Sequence, residues 1–296
     1  MKVTKKTFVY KTINNISIEA DLFELTDNRE LKPGIIWLHG GGLIFGSRTD
    51  LPEEQLNFYL ANGYNVLSID YRLAPETKLP EIVNDIKDAF EWVHSNGSTL
   101  GIDSAKIFVI GHSGGAYLAL ISGCFEKNPP KAIVSFYGCG EIYSGWYNKS
   151  GSLYAGDILT AEEEAKKLIS DSALTSASFE DRFDLFILCE EKGFWPLLVT
   201  GHNPVNEKQW YEPYCPIHNI NATYPPVLLI HGDKDTYVPV EQSILLDKEL
   251  ESNNIRHKFI RVKNYGHAFD LLEGGLSNPD ISKVFLEVID FLNGIS

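Results

Sequence analysis

Lys106-Ile107-Phe108-Val109-Ile110-Gly111-His112-Ser113-Gly114-Gly115 is the stretch whose reading decides the fold. Its apolar run ends on a glycine, and Ala116-Tyr117-Leu118-Ala119-Leu120-Ile121 follows directly. The pattern predicts a buried strand over Lys106 to Ile110, a tight turn, and a compact helix over Gly115 to Phe125. The turn is a G-x-S-x-G element. With 24 glycines in 296 residues, one of the 21 serines meets that spacing by chance in roughly one such chain in seven. The flanking strand and helix therefore carry the argument. Glycines on both sides permit a strained turn that lifts the Ser113 hydroxyl above a sheet, where it is a candidate nucleophile.

The same rhythm extends outward. Phe8 to Ile13 and Ile16 to Leu25 read as strands joined by an Asn14-Asn15 turn. Short apolar runs at Ile35 to Leu38, Asn65 to Ile69, Ala132 to Phe136, Val227 to Ile230 and His257 to Val262 read as buried strands. Helical spacing recurs at Ile82, Ile86, Ala89, Phe90 and Val93, then over Gln242 to Leu250 and Ser282 to Leu292. Strand and helix alternate, which predicts an α/β fold with a mostly parallel sheet and helices on both faces. Roughly 90 residues separate the strand ending near Phe136 from the one starting at Val227, with helical patterns at Ala161 to Ser170 and Phe179 to Cys189. That is too long for a simple crossover. Residues 1–137 and 224–296 read as the core, and 138–223 as an inserted cap subdomain.

Composition excludes several functions. Hydrophobic residues are 44% and charged residues 22%, ordinary globular usage. Lys plus Arg is 26 and Asp plus Glu is 40, a net charge of −14 that repels nucleic acid. No apolar run reaches the roughly 18 residues of a membrane span. The N-terminal stretch lacks a signal-peptide pattern, and Cys124, Cys139, Cys189 and Cys215 are widely spaced. A cytoplasmic protein with free thiols is expected. No zinc-ligand set or dinucleotide fingerprint occurs, so no cofactor or metal is expected.

A serine at its ordinary pKa needs a base, usually histidine, held by a carboxylate. Val227-Leu-Leu-Ile-His231-Gly-Asp233-Lys-Asp235 places carboxylates after a strand, and Asn264-Tyr-Gly-His267 places a histidine after the next. The order Ser113, Asp235, His267 predicts a hydrogen-bonded triad past the carboxyl ends of the strands. Asp233 lies at the strand end and suits the turn. Asp270 is too close in sequence to His267 to face its ring. His39-Gly40-Gly41-Gly42 follows the strand Ile35 to Leu38 and can aim backbone N–H groups at a developing oxyanion. The expected donors are Gly41, Gly42 and Gly114.

With Asp70-Tyr71-Arg72-Leu73-Ala74-Pro75-Glu76 added, these motifs resemble the hormone-sensitive-lipase-type branch of the α/β-hydrolase fold, a branch of carboxylesterases and lipases. The resemblance runs from Gly34 to Ser135 and from Pro226 to the C-terminus. The chain departs from that branch in lacking a long N-terminal cap. Pro225-Pro-Val-Leu-Leu-Ile-His-Gly-Asp is also similar to prolyl-oligopeptidase-type domains. The resemblance implies a serine hydrolase of small-molecule carboxylic esters of short to medium acyl chain. The alternatives are an amidase or small-peptide hydrolase, and a non-catalytic ligand-binding protein. Arg72 is expected to bridge Asp70 and Glu76 and so brace the glycine loop beside His39. Among Trp146, Tyr147, Phe183, Phe186, Trp195, Trp210, Tyr211 and Tyr214, some are expected to line a pocket and others to form the insert's own core. The insert should lie over Ser113; a homodimer contact is its other expected use.

Overall fold

A computed structural model describes residues 2–26, 30–147 and 163–295. Eight strands form one sheet: β1 (Val3–Ile13), β2 (Ile16–Leu25), β3 (Lys32–Leu38), β4 (Asn65–Ile69), β5 (Ile102–His112), β6 (Ile133–Phe136), β7 (Val227–Gly232) and β8 (His257–Val262). Their order is β1-β2-β4-β3-β5-β6-β7-β8. The first two neighbouring pairs are antiparallel and the rest parallel. The hairpin turn places Asn14 at φ 48° and Asn15 at φ 65°, the left-handed pair that a two-residue turn needs.

The parallel strands are short apolar runs because both sheet faces are covered. Ile36, Leu38 and Val109 point to one face, against α2 (Leu79–Asn96) and α3 (Gly114–Ser122). Ile35, Trp37, Phe108 and Ile110 point to the other, against α1 (Glu53–Ala61) and the C-terminal helix Pro279–Asn293. Helix α2 carries Pro80 in its first turn and buries Ile82, Ile86, Ala89, Phe90 and Val93, its three-and-four stripe. Helix α3 begins one residue earlier than expected and stops at Ser122, whose hydroxyl turns back to the Ala119 carbonyl at 2.6 Å. Strand β1 starts at Val3, five residues earlier than expected.

Between β6 and β7 the described residues hold helices, chiefly Phe179–Lys192 and Trp195–Thr200. The expected helix over Ala161 to Ser170 begins on two residues outside the described ones; of the described residues in that span, 163–166 are helical. The insert does not pack on itself alone. Cys139, Ile142, Val199, Tyr211 and Cys215 join the larger core. Ala165, Leu185, Leu188, Phe194 and Leu198 close around Ile44, which belongs to the glycine-rich loop after β3.

Buried charge fixes the loops above the sheet. Asp21 and Asp70 are both at most 1% exposed. The Arg48 guanidinium pairs with Asp70, Asp21 and Glu19, and the Arg48 backbone N–H donates to Asp70 at 2.7 Å. Removing one partner from such a cluster strands the remaining charge. Arg48→Met should therefore cost about 3–5 kcal/mol, seen as a lower urea midpoint at unchanged slope. A midpoint equal to the parent's would show that the cluster contributes nothing to stability.

Candidate active site

Ser113 joins β5 to α3 at φ 53°, a conformation rare for any residue but glycine. Its backbone N–H donates to the Phe136 carbonyl at 2.9 Å, which pins the turn to the end of β6. The turn forms because the neighbouring backbone leaves no room for alternatives: a Cβ on Gly115 would stand 2.3 Å from the His39 carbonyl oxygen. His267 lies on the loop after β8 and Asp235 on the loop after β7. His267 Nε2 is 2.9 Å from Ser113 Oγ, and His267 Nδ1 is 2.7 Å from Asp235 Oδ2. The three side chains that the sequence singled out thus form one hydrogen-bonded chain.

Asp235 Oδ1 accepts the backbone N–H groups of Tyr237 and Val238, both at 2.9 Å. Burial alone would raise its carboxyl pKa. Hydrogen bonds from His231 and His267 outweigh that and hold it well below the ordinary carboxylate range. Asp233 instead receives the Asn264 N–H at 2.6 Å and shapes the turn. Asp270 faces away from His267. It accepts from Tyr137 Oη at 2.6 Å and Gln55 Nε2 at 2.8 Å, and lies 3.1 Å from His112 Nε2. Sequence reasoning did not find this network behind the nucleophile, since its members come from four distant segments.

The glycine loop leaves β3 at Leu38. Gly41 adopts φ 95°, and any side chain there would meet the Phe45 carbonyl at 2.1 Å. The backbone nitrogens of Gly42 and Leu43 both lie 3.1 Å from the point where a Gly114 side chain would begin. Gly42 and Gly114 of the expected donor set are therefore adjacent, and the Leu43 amide joins them. His39 is fully buried, and burial pushes its pKa down to about 4. Its ring stacks on Tyr71 at 4.2 Å, and its Nδ1–H donates to the Gly40 carbonyl at 2.9 Å. Tyr71 Oη donates to the His39 carbonyl at 2.9 Å.

The expected bridge of Arg72 to Asp70 and Glu76 is not formed. Arg72 donates twice to Asp85 of α2, each bond 2.8 Å. Asp70 is already occupied by Arg48, and Asp85 offers two parallel acceptors that suit a guanidinium. Glu76 receives Arg182 Nη2 and the Ser170 N–H, both at 2.7 Å, and so holds the insert rather than the loop. The loop is braced instead by Tyr71, by Asp70 through Arg48, and by the Ala74 N–H on the Leu43 carbonyl.

A cavity of about 440 Å³ contains Ser113 and His267. Trp146, Tyr147, Phe179, Phe186 and Trp195 of the insert line it, facing Trp37, Tyr117 and Tyr137. Trp195 Nε1 donates to the Gly42 carbonyl at 2.7 Å. Trp210, Tyr211, Tyr214 and Phe183 do not line it; Tyr211 is core and Phe183 is exposed. Leu271 and Leu272, which the sequence did not suggest, stand exposed at the mouth. Cys139 and Cys189 also line the cavity, and burial raises both thiol pKa values. Among the described residues no cluster of His, Cys, Asp and Glu could hold a metal ion.

An eight-stranded, mostly parallel sheet carrying a Ser-His-Asp chain at its carboxyl edge is the architecture of an α/β-hydrolase. The BD-FAE family profile matches residues 20–177 and 195–250, and the chain belongs to that family. Esterase LipC of Mycobacterium tuberculosis is 26% identical over 89% of this chain and 58% of its own length. The non-reducing polyketide synthase Preu6 of Preussia isomera is 26% identical over 90% of this chain, which spans only 14% of that protein. A Staphylococcus aureus protein of unknown function superimposes with a TM-score of 0.74 at 25% identity, covering 100% of this chain and 99% of its own. The thermophilic esterase Est2 of Thermogutta terrifontis does so at 0.71 and 21%, covering 99% and 92%.

A fluorophosphonate should label Ser113, and Ser113→Ala should take up no label. His267→Ala should slow labelling by on the order of 10³-fold or more, because an unassisted serine hydroxyl is a weak nucleophile. Equal labelling rates in the two proteins, followed by mass spectrometry, would remove the base from this site.

Proposed function

We propose that this protein hydrolyses carboxylic esters of short to medium acyl chain through an acyl-enzyme on Ser113. The observation that carries the reading is the continuous hydrogen-bonded chain from Ser113 Oγ through His267 to Asp235. Ser113 Oγ attacks the acyl carbon as His267 Nε2 takes its proton. Charge developing on the carbonyl oxygen is met by the N–H groups of Gly41, Gly42 and Gly114. The tetrahedral intermediate collapses, the ester C–O bond breaks, and the leaving alcohol takes the proton from His267. Water then repeats the sequence: His267 takes its proton, the acid leaves, and Ser113 regains its hydrogen. Asp235 holds the imidazole with Nδ1 protonated throughout.

The insert supports a cap over this site, because its aromatic residues wall the cavity and its Trp195 is bonded to the glycine loop. Aromatic walls around a cavity at the small end of the ligand-pocket range favour acyl chains of roughly two to six carbons. No described helix is long and apolar enough to cross a membrane. The four unpaired thiols suit a reducing compartment such as the cytoplasm.

Ser113→Ala and His267→Ala should each lower nitrophenyl-ester turnover on the order of 10⁴-fold or more, with melting unchanged. Asp235→Asn should be severe and Asp233→Asn mild; the reverse would reassign the acid. The imidazolium form of His267 cannot accept the serine proton, so kcat/KM falls as pH falls. Asp235 stays ionised across that range, because its hydrogen bonds hold its pKa low. The acid limb should therefore have a slope of one in log kcat/KM against pH. A flat limb would exclude a histidine base, and a slope of two would show a second required proton.

A chain-length series tests the pocket. Trp146→Ala should extend the acyl length accepted, while Trp210→Ala, outside the cavity, should only destabilise. Preference of the parent enzyme for dodecanoate over butyrate would refute the short-chain reading.

A further inference from the structure

Asp235 Oδ2 accepts from two histidines. One is His267, through Nδ1 at 2.7 Å; the other is His231, whose Nε2 lies 3.1 Å away. His231 ends β7 and is fully buried. The mechanism above gives it no role. A buried imidazole with both nitrogens partnered is fixed in orientation and in turn fixes the groups it bonds.

Its tautomer is dictated by its surroundings. Nε2 faces two acceptors, the Asp235 carboxylate and the Val238 carbonyl, the latter at 2.9 Å. Nε2 must therefore carry a hydrogen. Nδ1 lies 2.7 Å from Ser243 Oγ, a hydroxyl on the helix Glu241–Ser252 that is also buried. With Nε2 protonated, the neutral ring accepts the serine hydrogen at Nδ1. The Asp235 carboxylate then has four donors: two imidazole N–H groups on Oδ2 and two backbone N–H groups on Oδ1.

We propose that His231 is a positioning residue for the Asp235–His267 pair. This rests on the reading of Ser113, His267 and Asp235 as the catalytic set. His231 fixes the carboxylate rotation so that Oδ2 faces His267 Nδ1. It also shares the negative charge on that oxygen, which weakens the hold of Asp235 on an imidazolium at His267. Ser113 and the rings of Tyr137, at 4.6 Å, and Tyr237, at 5.5 Å, also face His267, and the carboxylates of Asp50 and Glu190 line the same cavity. Tyr137 is bonded in turn to Asp270, and burial raises the Tyr137 phenol pKa far above its ordinary value. Asp235 is thus the one carboxylate hydrogen-bonded to His267 among the described residues.

The test is a pH profile of nitrophenyl-acetate hydrolysis for the parent, His231→Leu and His231→Gln. Leu keeps bulk and removes both nitrogens; Gln restores an N–H near the Nε2 position. His231→Leu should lower kcat about tenfold to a hundredfold, the scale of a slight misplacement of the base, with KM within twofold. Its acid limb should move up by about half to one pH unit. His231→Gln should recover most of both. A folded His231→Leu with the parent's kcat and acid limb overturns the proposal, as does a Gln variant no better than Leu.

A second measurement needs no variant. Nitrogen-15 histidine spectra of the parent should show His231 as the Nε2–H tautomer, unchanged while His267 titrates. An Nδ1–H tautomer, or titration in step with the rate, overturns the proposal even if mutants fail to fold. A parent protein without esterase activity would sink the reading of Ser113 instead, and the spectra would still decide the geometry at Asp235.

Discussion

The backbone of the glycine loop lies directly against the backbone of the nucleophile turn, and the rest of the site depends on that approach. A side chain at Gly115 would strike the His39 carbonyl, and one at Gly114 would press on the Gly42 and Leu43 amides. With these positions bare, the amide donors and the Ser113 hydroxyl share one small volume. Everything around them serves to keep two loops from relaxing apart. Tyr71 holds the His39 carbonyl, Ala74 holds Leu43, and Trp195 of the insert holds the Gly42 carbonyl.

Beneath the loops, ionic contacts run beside the apolar ones. Arg48 unites residues of β2, the glycine loop and the segment after β4, while Arg72 and Lys11 meet at Asp85 of α2. Hydrophobic contact is indifferent to small sliding movements. A guanidinium with two parallel bonds to one carboxylate is not. The charged cluster therefore specifies where the loops stop, and the sheet supplies the stability on which they stand.

Much of this was legible in the sequence. Strands β4 and β8 have the boundaries expected, because a short apolar run between turns has no other comfortable fate in a covered sheet. Ser113, Asp235 and His267 were legible because each follows a strand end, and the topology of a parallel sheet gathers such ends along one edge. The ion pairs were not. Arg72 sits two residues from Asp70 and four from Glu76, yet its partner is Asp85, and Glu76 reaches Arg182 more than a hundred positions away. Sequence nearness ranks candidate pairs, but burial and competition decide among them. His231 was visible as a residue, but its role depends on Ser243 from the next helix and on a carboxylate already shared with His267.

The thiols of Cys139 and Cys189 share the cavity with Ser113. Sulfur is intrinsically the better nucleophile toward an acyl carbon, but only as thiolate. Burial keeps both thiols protonated, and neither has a base in hydrogen-bond contact among the described residues. An activated ester entering the cavity therefore meets three potential acceptors and one that is ready. Transfer to sulfur is closed off without any group placed to prevent it. Selectivity between oxygen and sulfur here follows from which atom was left dry.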